Sequence, residues 1–161
     1  MLDDAVRDSV GTRWTYDDSV DPMSQGGVNT AYVRSLNEVE FAFPYSGAQR
    51  ARLDLRIHAR LGSEVIVRIE RGQFLCSSSG CRVSIRFGDA KPLTFRAVGP
   101  SDHSSTSLFI VPYQRFVANL SKVDKVFIET MFYEAGTRVF EFDVRDLFSY
   151  YRAPQQPSSR L

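Results

Sequence analysis

The stretch ARLDLRIH, from Ala51 to His58, alternates without interruption. Leu53, Leu55 and Ile57 fall on one parity, and Arg52, Asp54, Arg56 and His58 on the other. A β-strand sends successive side chains to opposite faces, so this segment is a strand with one dry and one wet face. A helix would scatter the same residues around its circumference. Strands wet on one side belong to antiparallel sheets.

The pattern recurs in both directions along the chain. Cys81 to Phe87 alternates Cys81, Val83, Ile85 and Phe87 against Arg82, Ser84 and Arg86. Glu64 to Cys76 places Val65, Val67 and Ile69 on one face and reads as a single strand, bulged or bent at Gly72. Leu93 to Ala97 and Ser107 to Val111 are two more strands, and Lys125 to Tyr133 and Arg138 to Val144 flank the turn Glu134-Ala135-Gly136-Thr137. Towards the N-terminus, Arg13 to Asp17, Thr30 to Ser35 and Val39 to Phe43 read as strands. They are separated by a loop from Asp18 to Gly27 and a turn at Leu36-Asn37-Glu38. Pro112 to Leu120 has Pro at its start and Phe116, Val117 and Leu120 on one stripe, which predicts a short helix; Asp146 to Tyr150 adds at most one turn. About nine or ten short strands at regular spacing predict an all-β, mainly antiparallel fold, either a β-sandwich or a closed barrel. The expected organisation is a flexible segment over residues 1–11, one β domain over 12–150, and a disordered Pro-, Gln- and Ser-rich tail over 151–161, beginning at Tyr151.

Length and composition suit that reading. A chain of 161 residues buries roughly two-thirds of its unfolded surface, enough for a real core. Twelve Phe and seven Tyr are the residues that pleated, half-buried strands favour. The net charge of +1 gives no global field that would draw in nucleic acid, so none is expected as a partner. No run approaches the ~20 apolar residues of a membrane helix. Met1 to Val10, MLDDAVRDSV, carries charges where the apolar core of a leader would lie. That leaves a cytoplasmic protein, or the mature part of an exported one whose precursor carried the leader and had room for a lipid anchor.

Cys76 and Cys81 flank Ser77-Ser78-Ser79-Gly80, a good hairpin loop. The flanking alternation sets the two directly opposite, where cross-strand Cβ atoms lie about 4.5–5.5 Å apart. A disulfide follows if the pair is of the closer, non-hydrogen-bonded kind, and it would place the protein in an oxidising compartment, periplasm or cell envelope. Two reduced structural thiols are the alternative and would return it to the cytoplasm. Zinc would need two further ligands, and only His58 and His103 remain, neither at ligand spacing. No metal or cofactor is expected.

Phe41-Ala42-Phe43-Pro44-Tyr45-Ser46-Gly47, then Gly72-Gln73-Phe74-Leu75-Cys76 with Cys81-Arg82-Val83, form a pattern. Pro100 to Ser105 and Gly136 to Phe142 continue it. Over about residues 14–147 this pattern resembles a group of uncharacterised bacterial envelope proteins, many of them predicted lipoproteins. The resemblance implies export and an all-β fold, and supports the pairing of the cysteines; it implies no particular activity.

Two candidate sites stand out. Ser101-Asp102-His103-Ser104-Ser105 is the most polar cluster, in a loop before a strand, where binding residues are commonly carried. A Ser–His–Asp triad is not read from it, because sequence neighbours on a loop point in different directions. Arg52, Arg56, Arg68, Arg82 and Arg86 share the polar parity of three successive strands. They are expected to be mainly solvent-exposed on one face of one sheet, partly neutralised by Asp54 and Glu70. Seventeen Arg against three Lys reads first as the mark of a GC-rich genome, and its functional reading is planar recognition of carboxylate or phosphate. The expectation is a non-catalytic binding protein of the envelope, of inhibitor or immunity type, whose partner is another protein or an anionic ligand. The alternative is a small hydrolase-like enzyme with its site around His103.

Overall fold

The computed structural model describes residues 13–152. The expected flexible segment over residues 1–11 and the tail beyond Arg152 lie outside the described residues. Eleven strands and two helices follow one another as β1 (Thr15–Val20), β2 (Gly27–Arg34), β3 (Val39–Phe41), β4 (Gly47–Gln49), β5 (Arg52–His58), β6 (Gly62–Arg68), β7 (Cys81–Phe87), β8 (Leu93–Val98), β9 (Ser107–Val111), α1 (Tyr113–Leu120), β10 (Lys125–Phe132), β11 (Gly136–Asp143) and α2 (Ser149–Arg152). Nine of the strands make one sheet in the order β1-β2-β5-β6-β9-β8-β7-β10-β11, and β3 and β4 form a separate hairpin. Every ladder is antiparallel. The fold is all-β and sandwich-like: the two halves of the sheet fold over one core, and no ladder joins β1 to β11, so the barrel alternative is set aside.

Alternation dictates what faces inward. Leu53, Leu55, Val65, Val67, Val83, Ile85, Ile110 and Ile128 are buried in that core. Aromatic rings fill both ends. At one end α1 lies across the sheet and sets Phe116 edge-on to Phe87, with ring centroids 5.5 Å apart. At the other, Phe132 meets Phe74 at 4.8 Å and Phe41 at 5.0 Å. Phe41 comes from the β3–β4 hairpin, which covers this end.

Glu64 to Cys76 is not one strand. Pairing stops at Arg68, and residues 69–80 run across the end of the molecule to β7. Gly72 makes the bend, at φ +121°, where an added Cβ would come within 2.7 Å of the Phe41 ring. Buried Gln49 clamps this connector: its Oε1 accepts from the N–H of Glu70 (3.1 Å) and Arg71 (3.0 Å), and its Nε2 donates to the carbonyl of Arg71 (2.7 Å). Because the connector crosses over, β9 and β8 lie between β6 and β7.

The two outer parts of the sheet meet through one turn. Leu36 N–H donates to the Glu141 carbonyl at 2.7 Å. The Asn37 side chain then accepts from Glu141 N–H at 2.8 Å and donates to the Val139 carbonyl at 2.9 Å. A side-chain amide thus stands where a tenth strand's backbone would stand, on the open edge of β11.

The polypeptide stays ordered past the expected boundary at Tyr151. The helical turn expected over Asp146 to Tyr150 forms at Ser149–Arg152, and Tyr151 is buried. Its carbonyl accepts the Tyr113 hydroxyl at 2.9 Å, and Phe148 stacks flat on Tyr16 of β1 at 3.7 Å.

Candidate functional site

Cys76 and Cys81 are disulfide-bonded, with Cα atoms 5.2 Å apart. The bond closes a tight turn in which Gly80 N–H donates to the Ser77 carbonyl and the Ser77 hydroxyl donates back to the Gly80 carbonyl (2.7 Å). Facing this turn is the loop from β8 to β9, which carries Ser101, Asp102, His103 and Ser104. Between them lies an open cleft of about 370 Å³ whose walls include Phe74, Cys76, Ser77, His103 and Ser105. Asp102 Oδ1 accepts from Ser104 N–H at 2.9 Å, and the Ser104 hydroxyl pairs with that of Thr106 at 3.1 Å. His103 adopts φ +62° and its N–H donates to the Pro100 carbonyl at 3.0 Å. Its ring makes no hydrogen bond among the described residues, so no proton relay links it to Asp102 or a serine.

The cleft is flanked by apolar surface. Leu75 N–H donates to the Met131 carbonyl, and Tyr133 N–H to that of Gln73. Leu75, Met131 and Tyr133 thus lie side by side beside the disulfide, each about half exposed.

The arginine stripe is corrected in two respects. Arg52, Arg56, Arg68, Arg82 and Arg86 do occupy the outward parity of one sheet, but not as one patch: β9 and β8 separate the first three from Arg82 and Arg86. Nor are they mainly solvent-exposed. Asp54, 1% exposed, lies beneath them: Arg52 donates Nε and Nη2 to its two oxygens at 2.7 Å each, and Arg68 donates Nε to Oδ2 at 3.0 Å. Arg56 pairs with Glu64 at 2.7 Å. Arg86 lies over the Phe127 ring at 4.2 Å and donates to the Gly88 carbonyl at 3.0 Å. Arg82 alone of the five is exposed and without an ion pair among the described residues. Asp54 is covered because Arg52 stacks on Tyr32 (4.2 Å) and Ile66 packs at its side, the outward row running Tyr32, Asp54, Ile66, Phe109.

Register reveals an arginine outside the predicted stripe. Arg34 of β2 lies directly opposite Arg52, which lies directly opposite Arg68. Arg34 has no ion pair among the described residues. With Arg50, Ile69 and Glu70 these three line a groove of about 310 Å³. It continues past Arg34 and Arg50 into a second hollow of about 400 Å³, which reaches Tyr32 and Arg13. Arg34 shares the parity of its neighbours across the sheet; only the pairing of β2 with β5 was missing from the sequence.

A third cluster was also missed. Asp21, in the β1–β2 turn, accepts from Arg60 Nε (2.8 Å), the Ser24 hydroxyl (2.8 Å) and Met23 N–H (3.1 Å), and these bonds hold its carboxyl well below the usual carboxylate range. His58 Nε2 faces it at 3.8 Å, while Nδ1 accepts from the N–H groups of Arg60 (3.0 Å) and Leu61 (3.1 Å). The ring therefore carries its proton on Nε2. This is a turn-building cluster. Among the described residues no group of three or more His, Cys, Asp or Glu could hold a metal ion, and no helix is long and apolar enough to cross a membrane.

Comparison with family models, with curated proteins and with solved structures finds no match for this chain.

Proposed function

We propose that this chain is a non-catalytic binding protein of an oxidising compartment, the bacterial envelope or periplasm, that engages another protein through its disulfide end. The observation that supports this reading most is the Cys76–Cys81 bond itself. The two cysteines pack against the edge of the core, and the bond pins the turn Ser77 to Gly80, which lies outside the core at the rim of a cleft. Fixing a surface loop before binding lowers the ordering cost of association. The neighbouring Leu75, Met131 and Tyr133 supply apolar and aromatic surface of the kind that interface centres are rich in. An inhibitor or immunity-type role fits such a surface, because it needs shape and no chemistry. The hydrolase-like alternative lacks the base-orienting bond it would require, since the Asp102 oxygen that is engaged bonds Ser104 instead of His103.

The test is site-specific photo-crosslinking in cells of the source organism. A photoreactive residue at Ser78 or Tyr133 should give the same discrete adduct, and one at Asp89, on the far β7–β8 turn, should give none. Adducts spread evenly over all three positions, or none at any, would overturn the reading. Free thiols at Cys76 and Cys81 in protein trapped in the cell with an alkylating agent would overturn the compartment.

A further inference from the structure

We propose that the groove lined by Arg34, Arg50, Arg52 and Arg68 is a binding site for a phosphate-class oxyanion. It shares no lining residue with the disulfide-end cleft, although Arg68 Nη1 touches that cleft by donating to Ser107 at 3.2 Å.

Three observations carry the proposal. The first is the row itself. Arg34, Arg52 and Arg68 are direct cross-strand partners on one face of three adjacent strands. Like charges placed directly opposite destabilise a sheet. Folding requires part of the row, because buried Asp54 needs a cation, and Arg52 already gives it a two-bond grip. Among the described residues Arg34 answers no carboxylate, so no ion pair there accounts for its place in the row.

The second is the charge count of the groove. Its four arginines are answered by two carboxylates, Asp54 beneath the row and Glu38, which pairs with Arg50 at 3.3 Å. Glu70 also lines the groove but is paired to Arg71 at 3.6 Å. Among the described lining residues two positive charges are left over, with Asp17 of β1 acting on Arg52 from outside the lining. A monocarboxylate would be saturated by a single guanidinium fork, whereas a doubly charged, tetrahedral oxyanion has acceptors for several forks at different heights.

The third is preorganisation. Arg52 is held by Asp54 on one edge and by stacking on Tyr32 on its face; Arg68 is held by Asp54 and Ser107. Among the described residues Arg52 Nη1 and Arg68 Nη2 make no hydrogen bond, and both side chains line the groove. Arg side chains lose much rotamer freedom when they bind, and here that ordering is complete before the anion arrives. The unpaired Arg34 and the rim Arg50 then close over it.

The experiment is a thermal-melt titration of the purified full chain with sodium pyrophosphate and inorganic phosphate at constant ionic strength, with chloride as the compensating ion. The melting temperature of the wild type should rise saturably in the millimolar range or below. Arg34→Gln should weaken the apparent affinity by about tenfold or more. The same variant, without anion, should melt no lower than wild type, because it relieves repulsion in the row. Arg82→Gln, which removes another exposed arginine on the same sheet, should respond as wild type does. A wild type indifferent to both anions overturns the proposal, as does Arg34→Gln responding like wild type or Arg82→Gln losing the response equally. Co-sedimentation with phosphatidic acid vesicles, lost in Arg34→Gln, would trace the phosphate to a lipid headgroup; its absence beside a positive melt titration would trace it to a soluble ester.

Discussion

Asp21 shows how much chemistry one residue can gather from distant parts of the chain. It lies in the β1–β2 turn, yet its strongest partner, Arg60, comes from the β5–β6 turn. The two turns meet because β2 pairs with β5. Its carboxyl is held below the ordinary value chiefly by the Arg60 bond, then by Ser24 and the Met23 N–H. A depressed folded pKa contributes stability that is complete above the unfolded value near 3.9 and is lost as pH falls through the folded one. The melting temperature of the wild type should therefore fall as pH drops below about 4. Asp21→Asn should melt lower than wild type at neutral pH and show a shallower acid limb, measured as melting temperature against pH. The neighbouring His58 tests the turn differently: His58→Ala leaves two backbone N–H groups without their acceptor and should cost about 1–3 kcal/mol in urea denaturation. Neither role was legible in the sequence. Alternation placed His58 and Asp54 on the wet face and could not report what covers them, since the covering residues come from other strands.

At the scale of elements, the strictest alternation was the most legible. Cys81–Phe87 and Ser107–Val111 have the bounds that their patterns predict, and Tyr113–Leu120 forms the helix its apolar stripe predicts. The failure at Glu64 to Cys76 has a local cause. The apolar parity survives through Ile69, but pairing ends at Arg68, Gln49 takes up the N–H groups of Glu70 and Arg71, and the left-handed backbone at Gly72 then bends the chain across the end of the molecule. Strand order then departs from chain order, which is why the five arginines expected together lie in two groups. Asn37 marks the same boundary of legibility: the turn around it is plain, and its partners on β11, more than a hundred residues on, are not. Its amide blocks a strand edge that would otherwise offer free N–H and C=O groups to another chain. Asn37→Ala should cost about 1–2 kcal/mol in chemical denaturation. It should also raise concentration-dependent self-association, read by light scattering, while Asn119→Ala on the exposed face of α1 should not.

For the molecule as a whole, the all-β class was legible from period and turns, while the choice between sandwich and barrel rested on which edges remain open. The C-terminal limit was misplaced because YRAPQQ reads as solvated from composition alone, yet Tyr151 has a buried site waiting between α1 and β1. Burial raises the pKa of the Tyr113 and Tyr151 hydroxyls well above their ordinary value near 10. For a raised pKa the stability is complete below the unfolded value and is lost as pH climbs past it. Unfolding should therefore become easier above about pH 10. Tyr113→Phe, which removes one titrating group and the bond to the Tyr151 carbonyl, should cost about 1 kcal/mol at neutral pH and flatten the alkaline limb of the melting curve.

The crossing of residues 69–80 divides the sheet into two parts, β1-β2-β5-β6 and β9-β8-β7-β10-β11, sealed to each other by the β6–β9 ladder and by the turn at Asn37. The ladders within the first half, β1–β2, β2–β5 and β5–β6, need no residue of the second. Its final closure waits for Glu141, so that an emerging chain carries the open edge of β6 until Ser107–Val111 arrives and the far seam until the last strand does. Contacts so distant in sequence make for slow folding. The rate at which β11 is delivered, more than the stability reached afterwards, should govern how much newly made protein is lost to aggregation.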